Sequence, residues 1–232
     1  MQRIILQPGF ILHARPYRDS SLLLDILSRD HGRLTLMARG VKKKNKTGQF
    51  LQAFTPFVFS WQGKSELMNL TVAEPQGVPI WLMGTALVCG LYLNEILIRL
   101  LHPHDPHPSI YELYAATLNY LSQSVNIPTA LRLFEKHLLA ELGYGLSLSH
   151  DTRGLSISPE ADYYYLSGRG FERVVSSTDA QSRKHFSGES LIALREERLT
   201  SPVVLQDIKR LMQLALAPLL GEKPLKSREC FI

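Results

Sequence analysis

Arg39-Gly40-Val41-Lys42-Lys43-Lys44-Asn45-Lys46 puts five cations into eight residues with no acid among them. At that density the chemistry on offer is electrostatic: ammonium and guanidinium groups neutralise the phosphates of a polyanion. A solvated loop has the same composition, so the run must be weighed with its surroundings. Those are basic as well. Residues 1–64 hold 11 Lys and Arg against three acids, Asp19, Asp25 and Asp30. Residues 65–232 hold 15 basic and 18 acidic groups, so the chain's net +5 conceals a strongly basic N-terminal quarter. Arg15, Arg18 and Arg33 join Arg39, Lys42, Lys43, Lys44 and Lys46 as candidates for phosphate contact. Tyr17, beside Arg15 and Arg18, is a candidate stacking ring for a base.

Other chemistries find less support. His102, His104 and His107 lie near Asp105, but three prolines interrupt them and no His-Glu-x-x-His spacing appears, so no metal ligand set is nominated. Gly63-Lys64-Ser65 ends like a phosphate loop, yet Val58 stands where that motif needs its first glycine. No Gly-x-Ser-x-Gly elbow exists, and the acids form no converging pair for metal-assisted cutting. No catalytic residue, metal or cofactor is therefore expected. The two cysteines, Cys89 and Cys230, exclude a disulfide framework and a four-cysteine zinc site. Gln2 to Gln7 lacks the features of a secretory leader. Gln76 to Asn94 is the longest uncharged, mostly apolar run, but it is broken by Gly, Pro and polar residues, and its solidly apolar part is shorter than the roughly 20 residues a membrane span needs. A cytoplasmic chain with no membrane contact is expected.

These side chains need a scaffold. An apolar fraction of 45% with 20% charged residues is ordinary for a folded domain. Phe10 to Arg15, Ser21 to Leu27, Arg33 to Arg39, Pro56 to Trp61 and Glu66 to Ala73 each alternate as strands, with Asp30-His31-Gly32 and Gln62-Gly63-Lys64 as turns. Five short strands in about seventy residues favour a small closed sheet of the OB type, because closure removes exposed edges. Phe57, Phe59 and Trp61 share one face. They either stack on bases or fill the barrel, and large aromatics are more often interior.

After Pro75 to Pro79 the period becomes helical. Helices are expected over Leu82 to Leu101, Ser109 to Ser122, Pro128 to Leu142, Ser187 to Arg195 and Pro202 to Leu219. Ser109 with Glu112 reads as a capping box, and Ser187 as a cap. Residues 146–186 look like an insertion carrying a hairpin, Tyr163 to Leu166 and Phe171 to Val175. The fold class is thus α+β: a five-stranded OB-type barrel over residues 1–78, then a helical domain over 79–232 with the insertion inside it.

Several stretches resemble the RecO family of bacterial recombination mediators. They are Phe10-Ile11-Leu12-His13-Ala14-Arg15-Pro16-Tyr17, Leu34 to Lys42, Phe54-Thr55-Pro56, Gly90-Leu91-Tyr92-Leu93-Asn94-Glu95, Leu131-Arg132-Leu133-Phe134-Glu135, Leu142-Gly143-Tyr144-Gly145 and Lys223 to Glu229. Each is short, but together they span the chain in a specific order. The resemblance implies a protein that binds single- and double-stranded DNA, anneals complementary strands without ATP and docks on the acidic C-terminal tail of single-strand-binding protein. It also implies cooperation with RecR in loading RecA, without enzymatic activity, in the cytoplasm at the nucleoid. Arg132 is the leading candidate for pairing with the tail, with Lys209 and Arg210 behind it. Relatives can carry a lysine in the stretch matching Leu216-Ala217-Pro218, where this chain has Ala217. Some relatives hold a four-cysteine zinc site in the insertion; residues 146–186 here contain no cysteine, so packing must hold that hairpin. Without the resemblance, composition does not separate a DNA binder from an RNA binder, and a protein-binding scaffold or a nuclease stay open.

Overall fold

A computed structural model describes residues 2–40, 51–63, 67–175 and 185–227. Packing divides the chain into two compact units: residues up to Val125 together with the segment from Pro224, and residues Asn126 to Lys223.

The first unit is built on a closed barrel with strand order β1-β2-β3-β5-β4. Its strands are β1 (Gln2–Tyr17), β2 (Ser21–Ser28), β3 (Gly32–Ala38), β4 (Pro56–Gly63) and β5 (Leu67–Pro75). A parallel pairing of β3 with β5 closes it, and the other neighbours are antiparallel. This is the OB-type barrel that the alternation predicts. β1 is longer than expected because Pro8 and Pro16 do not end it. Residues 2–10 pair with β4 and residues 9–17 with β2, so each proline has a single strand partner. Gly9 sits at the handover. A Cβ there would lie 3.0 Å from the Leu27 carbonyl oxygen and from the Phe59 ring. Phe57, Phe59 and Trp61 are buried with Ile11, Leu24, Ile26, Leu34 and Leu36, so the aromatics fill the barrel.

Two helices, α1 (Gly84–Leu100) and α2 (Pro108–Ser122), belong to the same unit. Asn94 on α1 is buried, and its amide donates to the Leu12 carbonyl at 2.8 Å. Phe10 of β1 packs on the rings of Tyr111 and Tyr114 from α2. Glu95 anchors the C-terminal segment: it accepts the backbone N–H groups of Lys226 and Ser227, each at 2.9 Å, and the Ser227 hydroxyl at 2.8 Å. α2 starts one residue before Ser109. His107 is its N-cap and Pro108 occupies the first turn, where a missing N–H costs nothing, so the expected capping box does not form.

The second unit holds α3 (Ile127–Glu141), α4 (Gly188–Arg195) and α5 (Pro202–Leu220), with α3 and α4 both packed on α5. Ser187 caps α4 as predicted, its hydroxyl accepting the Ser190 N–H at 3.1 Å. Pro218 does not stop α5, which runs two residues past it to a Gly221 cap. The insertion carries three strands, β6 (Asp162–Leu166), β7 (Gly170–Arg173) and β8 (His185–Ser187), in the order β7-β6-β8. Tyr163, Phe171 and Phe186 form its interior. The side chain of Asp151 organises the loop before it, accepting the N–H groups of Arg153 and Leu155, each at 2.9 Å.

Candidate nucleic-acid interface

Strand register decides which basic side chains share a surface. Arg15 stands opposite Leu23, and Leu23 opposite Met37; Tyr17 stands opposite Ser21. Directly opposed residues point to one face. Arg15, Tyr17, Leu23 and Met37 therefore lie on the outer face of β1–β2–β3, at the end where β3 runs into exposed Arg39. With strands about 4.8 Å apart, Arg15 and Met37 are separated by about 10 Å. Arg18 follows Tyr17 in the turn, in a left-handed conformation, with its guanidinium 5.3 Å from the centre of the Tyr17 ring. That contact covers one face of the half-buried ring. Arg15, Arg18 and Arg39 are thus gathered at one end of the sheet. Lys42, Lys43, Lys44 and Lys46 follow Arg39 in the chain and lie outside the described residues.

Arg33 is placed differently. It sits at the far end of β3, and its Nε donates to the Leu101 carbonyl at 2.9 Å. The His104 N–H donates in turn to the Arg33 carbonyl at 2.8 Å, and Arg33 bridges to Pro103 as a short parallel pair. The histidine-rich connector thus augments the start of β3. His107 pairs with Asp105 at 3.2 Å, and among the described residues no group of three or more His, Cys, Asp or Glu is arranged to hold a metal ion.

One feature of the outer face escaped the sequence reading. Asp25 faces outward as its alternation predicts, but it is only 8% exposed. Thr35 donates to its carboxylate at 2.7 Å, and His13 lies 3.8 Å away. The His13–Asp25–Thr35 row spans β1, β2 and β3. The signal for it is a register, and single-strand alternation does not carry register.

In the second unit, Arg132 lies on α3 and is 8% exposed, with Nη2 2.9 Å from Oε1 of Glu135. Lys209 is exposed on α5. Arg210 is held: its Nη2 donates to Asp207 at 2.6 Å and to the His185 carbonyl at 3.2 Å, and its guanidinium lies over the Phe186 ring. Ala217 is exposed on α5. Among the described residues no helix is long and apolar enough to cross a membrane.

Two family models match in tandem. Residues 1–78 match the N-terminal domain of recombination protein O, and residues 83–229 match its C-terminal domain. The chain is 46% identical to the DNA repair protein RecO of Coxiella burnetii (strain RSA 331 / Henzerling II) over 230 residues, covering 98% of both proteins. It is 41% identical to the DNA repair protein RecO of Alkalilimnicola ehrlichii over 229 residues, covering 99% of this chain and 91% of that one. Identity is also 41% to the DNA repair protein RecO of Aliivibrio fischeri (strain MJ11), with 98% and 95% covered. Barrel, helices and matches together place the chain in the RecO family.

Proposed function

We infer that this chain is a non-catalytic mediator of DNA repair and homologous recombination. It binds single- and double-stranded DNA, anneals complementary strands without ATP and docks on the acidic tail of single-strand-binding protein. With RecR it promotes RecA loading, working in the cytoplasm at the nucleoid. The observation that carries the reading is the register that gathers Arg15, Arg18 and Arg39 at the uncovered end of the barrel's outer face. The lysine run of residues 42–46 continues that charge, with Arg33 as an outlying neighbour. Such contacts grip phosphates and read no sequence. Annealing follows from charge neutralisation, which lets two polyanions approach while their base edges stay free to pair.

The barrel (residues 1–78) supplies the DNA site, and the helical domain (79–232) the tail site. Arg132 is the main tail contact there, with Lys209 and Arg210 as secondary ones. A guanidinium has five donors, so the bond from Nη2 of Arg132 to Glu135 leaves others for an incoming carboxylate.

The test is annealing of complementary oligonucleotides coated with the cognate single-strand-binding protein, beside the same protein lacking its acidic tail, without ATP. Acceleration that requires the tail is expected. No acceleration on coated or naked strands, with folded protein, overturns the annealing function.

A further inference from the structure

At the opposite end of β2 from Arg15 and Tyr17, the barrel opens into a cavity of about 130 Å³. Ile4, Leu34, Trp61 and Met68 are among the residues that line it, Leu34 and Trp61 from the buried core, and Asp30, His31 and His104 bring polar groups to it. An apolar cavity of about 150 Å³ admits benzene, so this smaller space, rimmed by exposed Asp30, His104 and Pro106, admits the edge of a single ring.

The polar wall is held in place. Arg29 grips the Asp30 carboxylate through two hydrogen bonds of 3.0 and 3.1 Å. The His31 ring stands edge-on to Trp61, with centroids 5.3 Å apart. Gly32 adopts φ +67°, and a Cβ there would fall 2.1 Å from the Asp105 carbonyl oxygen, so turn and connector touch backbone to backbone. His104 itself sits at φ +62°, a left-handed conformation uncommon outside glycine. Its N–H bond to Arg33 holds it there.

We propose that this cavity takes the edge of one unpaired pyrimidine base of a bound single strand. The inference rests on the DNA-binding reading above and adds a second contact of a different kind. A carboxylate and two imidazoles offer an acceptor and further donor or acceptor nitrogens to the polar edge of a base, which would lie against Met68 and the rim of Trp61 that lines the cavity. A phenyl ring from a peptide would leave those groups unmatched. The site lies about 20 Å along β2 from the arginine end, so one strand can be gripped by phosphate at one end and anchored by a base at the other.

The test uses the full chain carrying Trp81→Phe. Trp81 is 71% exposed, and its removal leaves Trp61 as the one indole of the protein. Oligothymidine and an abasic strand of equal length and charge are titrated separately. Oligothymidine is expected to quench Trp61 and to bind more tightly than the abasic strand by about fivefold to tenfold, the size of one base contact. His31→Ala, and Met68→Phe as a filling variant, are expected to abolish the Trp61 quenching, to cut that difference to what stacking on Tyr17 supplies and to leave abasic binding unchanged, with thermal melting reporting the fold. Equal affinity for both strands with unchanged Trp61 emission overturns the base site and leaves the phosphate grip standing. Quenching by a phenylalanine-bearing acidic peptide in place of oligothymidine assigns the cavity to a peptide and overturns it too. Failure of both strands to bind removes the DNA reading, and this site with it.

Discussion

The Tyr114 hydroxyl donates to Oδ1 of Asn94 across 2.6 Å, and both side chains are buried. Asn94 passes the connection on, its amide donating to the Leu12 carbonyl of β1. One side chain thereby satisfies a strand carbonyl and a helix hydroxyl, joining β1, α1 and α2. Burial raises the Tyr114 pKa far beyond its ordinary value, so the hydroxyl stays a donor throughout the accessible pH range. Tyr114→Phe should cost about 1–2 kcal/mol, because Oδ1 of Asn94 loses its donor in a dry site. Asn94→Leu strips the hydrogen bond from Leu12 as well and should cost more. Urea denaturation of both variants checks the order.

Glu95 gives the fold a pH dependence. Burial works against its charged form, but the N–H groups of Ser227 and Lys226, the Ser227 hydroxyl and Arg99 outweigh it and lower the pKa below the ordinary glutamate value. A carboxyl depressed in the folded state stabilises fully above the unfolded pKa, about 4.3. That contribution is lost as pH falls through the lower folded value. Glu95→Gln should therefore melt below the parent at neutral pH, with the gap closing as the medium is acidified below pH 4. A constant gap from pH 7 to pH 3 would show that the anchor does not depend on charge.

The barrel was legible in the sequence because its strands alternate strictly. In β3, buried and half-exposed residues alternate along the whole strand, as Leu34, Leu36 and Ala38 predict. What pattern does not carry is pairing. The two-sided use of β1 depends on Gly9 changing partners, and the third strand of the insertion is three residues long, too short for a period to register. The basic residues were legible as types. That Arg33 sits apart from Arg15 and Arg39, engaged by the Leu101 carbonyl, is a fact of the connector's path, which local spacing does not encode. The cavity was invisible for the same reason. Asp30 and His31 come from a turn, His104 from a connector and Trp61 from β4, and only closure of the barrel brings them together.

Gly32 tests that connector. Alanine there must accept φ +67° and drive a methyl group into the Asp105 backbone. The left-handed conformation alone costs about 1 kcal/mol, and the collision obliges residues 101–107 to move. Gly32→Ala should lower the melting temperature by several degrees, on the order of 5 °C for about 1–2 kcal/mol. Gly40 also has positive φ, but among the described residues a Cβ there meets nothing within 4 Å, so Gly40→Ala should cost the conformational part alone. Comparing the two melting curves separates contact from conformation.

The lysine run should reveal itself through salt. Each phosphate contact to a single strand adds about −0.7 to the slope of log K against log salt. Changing Lys42, Lys43 and Lys44 to Ala should therefore flatten the slope by about 2 if all three make contact, and weaken binding alike for every sequence. Fluorescence anisotropy at four salt concentrations suffices. An unchanged slope would remove the run from the footprint and leave Arg15, Arg18 and Arg39 as its centre.

Arg132 requires a gentler substitution than alanine. Glu135, its ion-pair partner at 2.9 Å, is only 1% exposed, so Arg132→Ala strips a cation from a carboxylate that water barely reaches. Breaking a buried pair from one side commonly costs about 3 kcal/mol or more. Lost tail binding in that variant would then be confounded with a damaged α3. Arg132→Lys keeps the charge near Glu135 but removes the planar fork that grips a second carboxylate. The double variant Arg132→Met with Glu135→Gln removes the charge while filling similar volume. If Arg132 pairs with the tail, both variants should bind an acidic tail peptide about tenfold more weakly, on the order of one charged hydrogen bond. Affinity for naked DNA and the melting temperature should stay near the parent's. Peptide affinity that survives in both folded variants would exclude Arg132 from the tail site and turn attention to exposed Lys209. Equal loss of peptide and DNA binding would mean that the two ligands depend on the same surface.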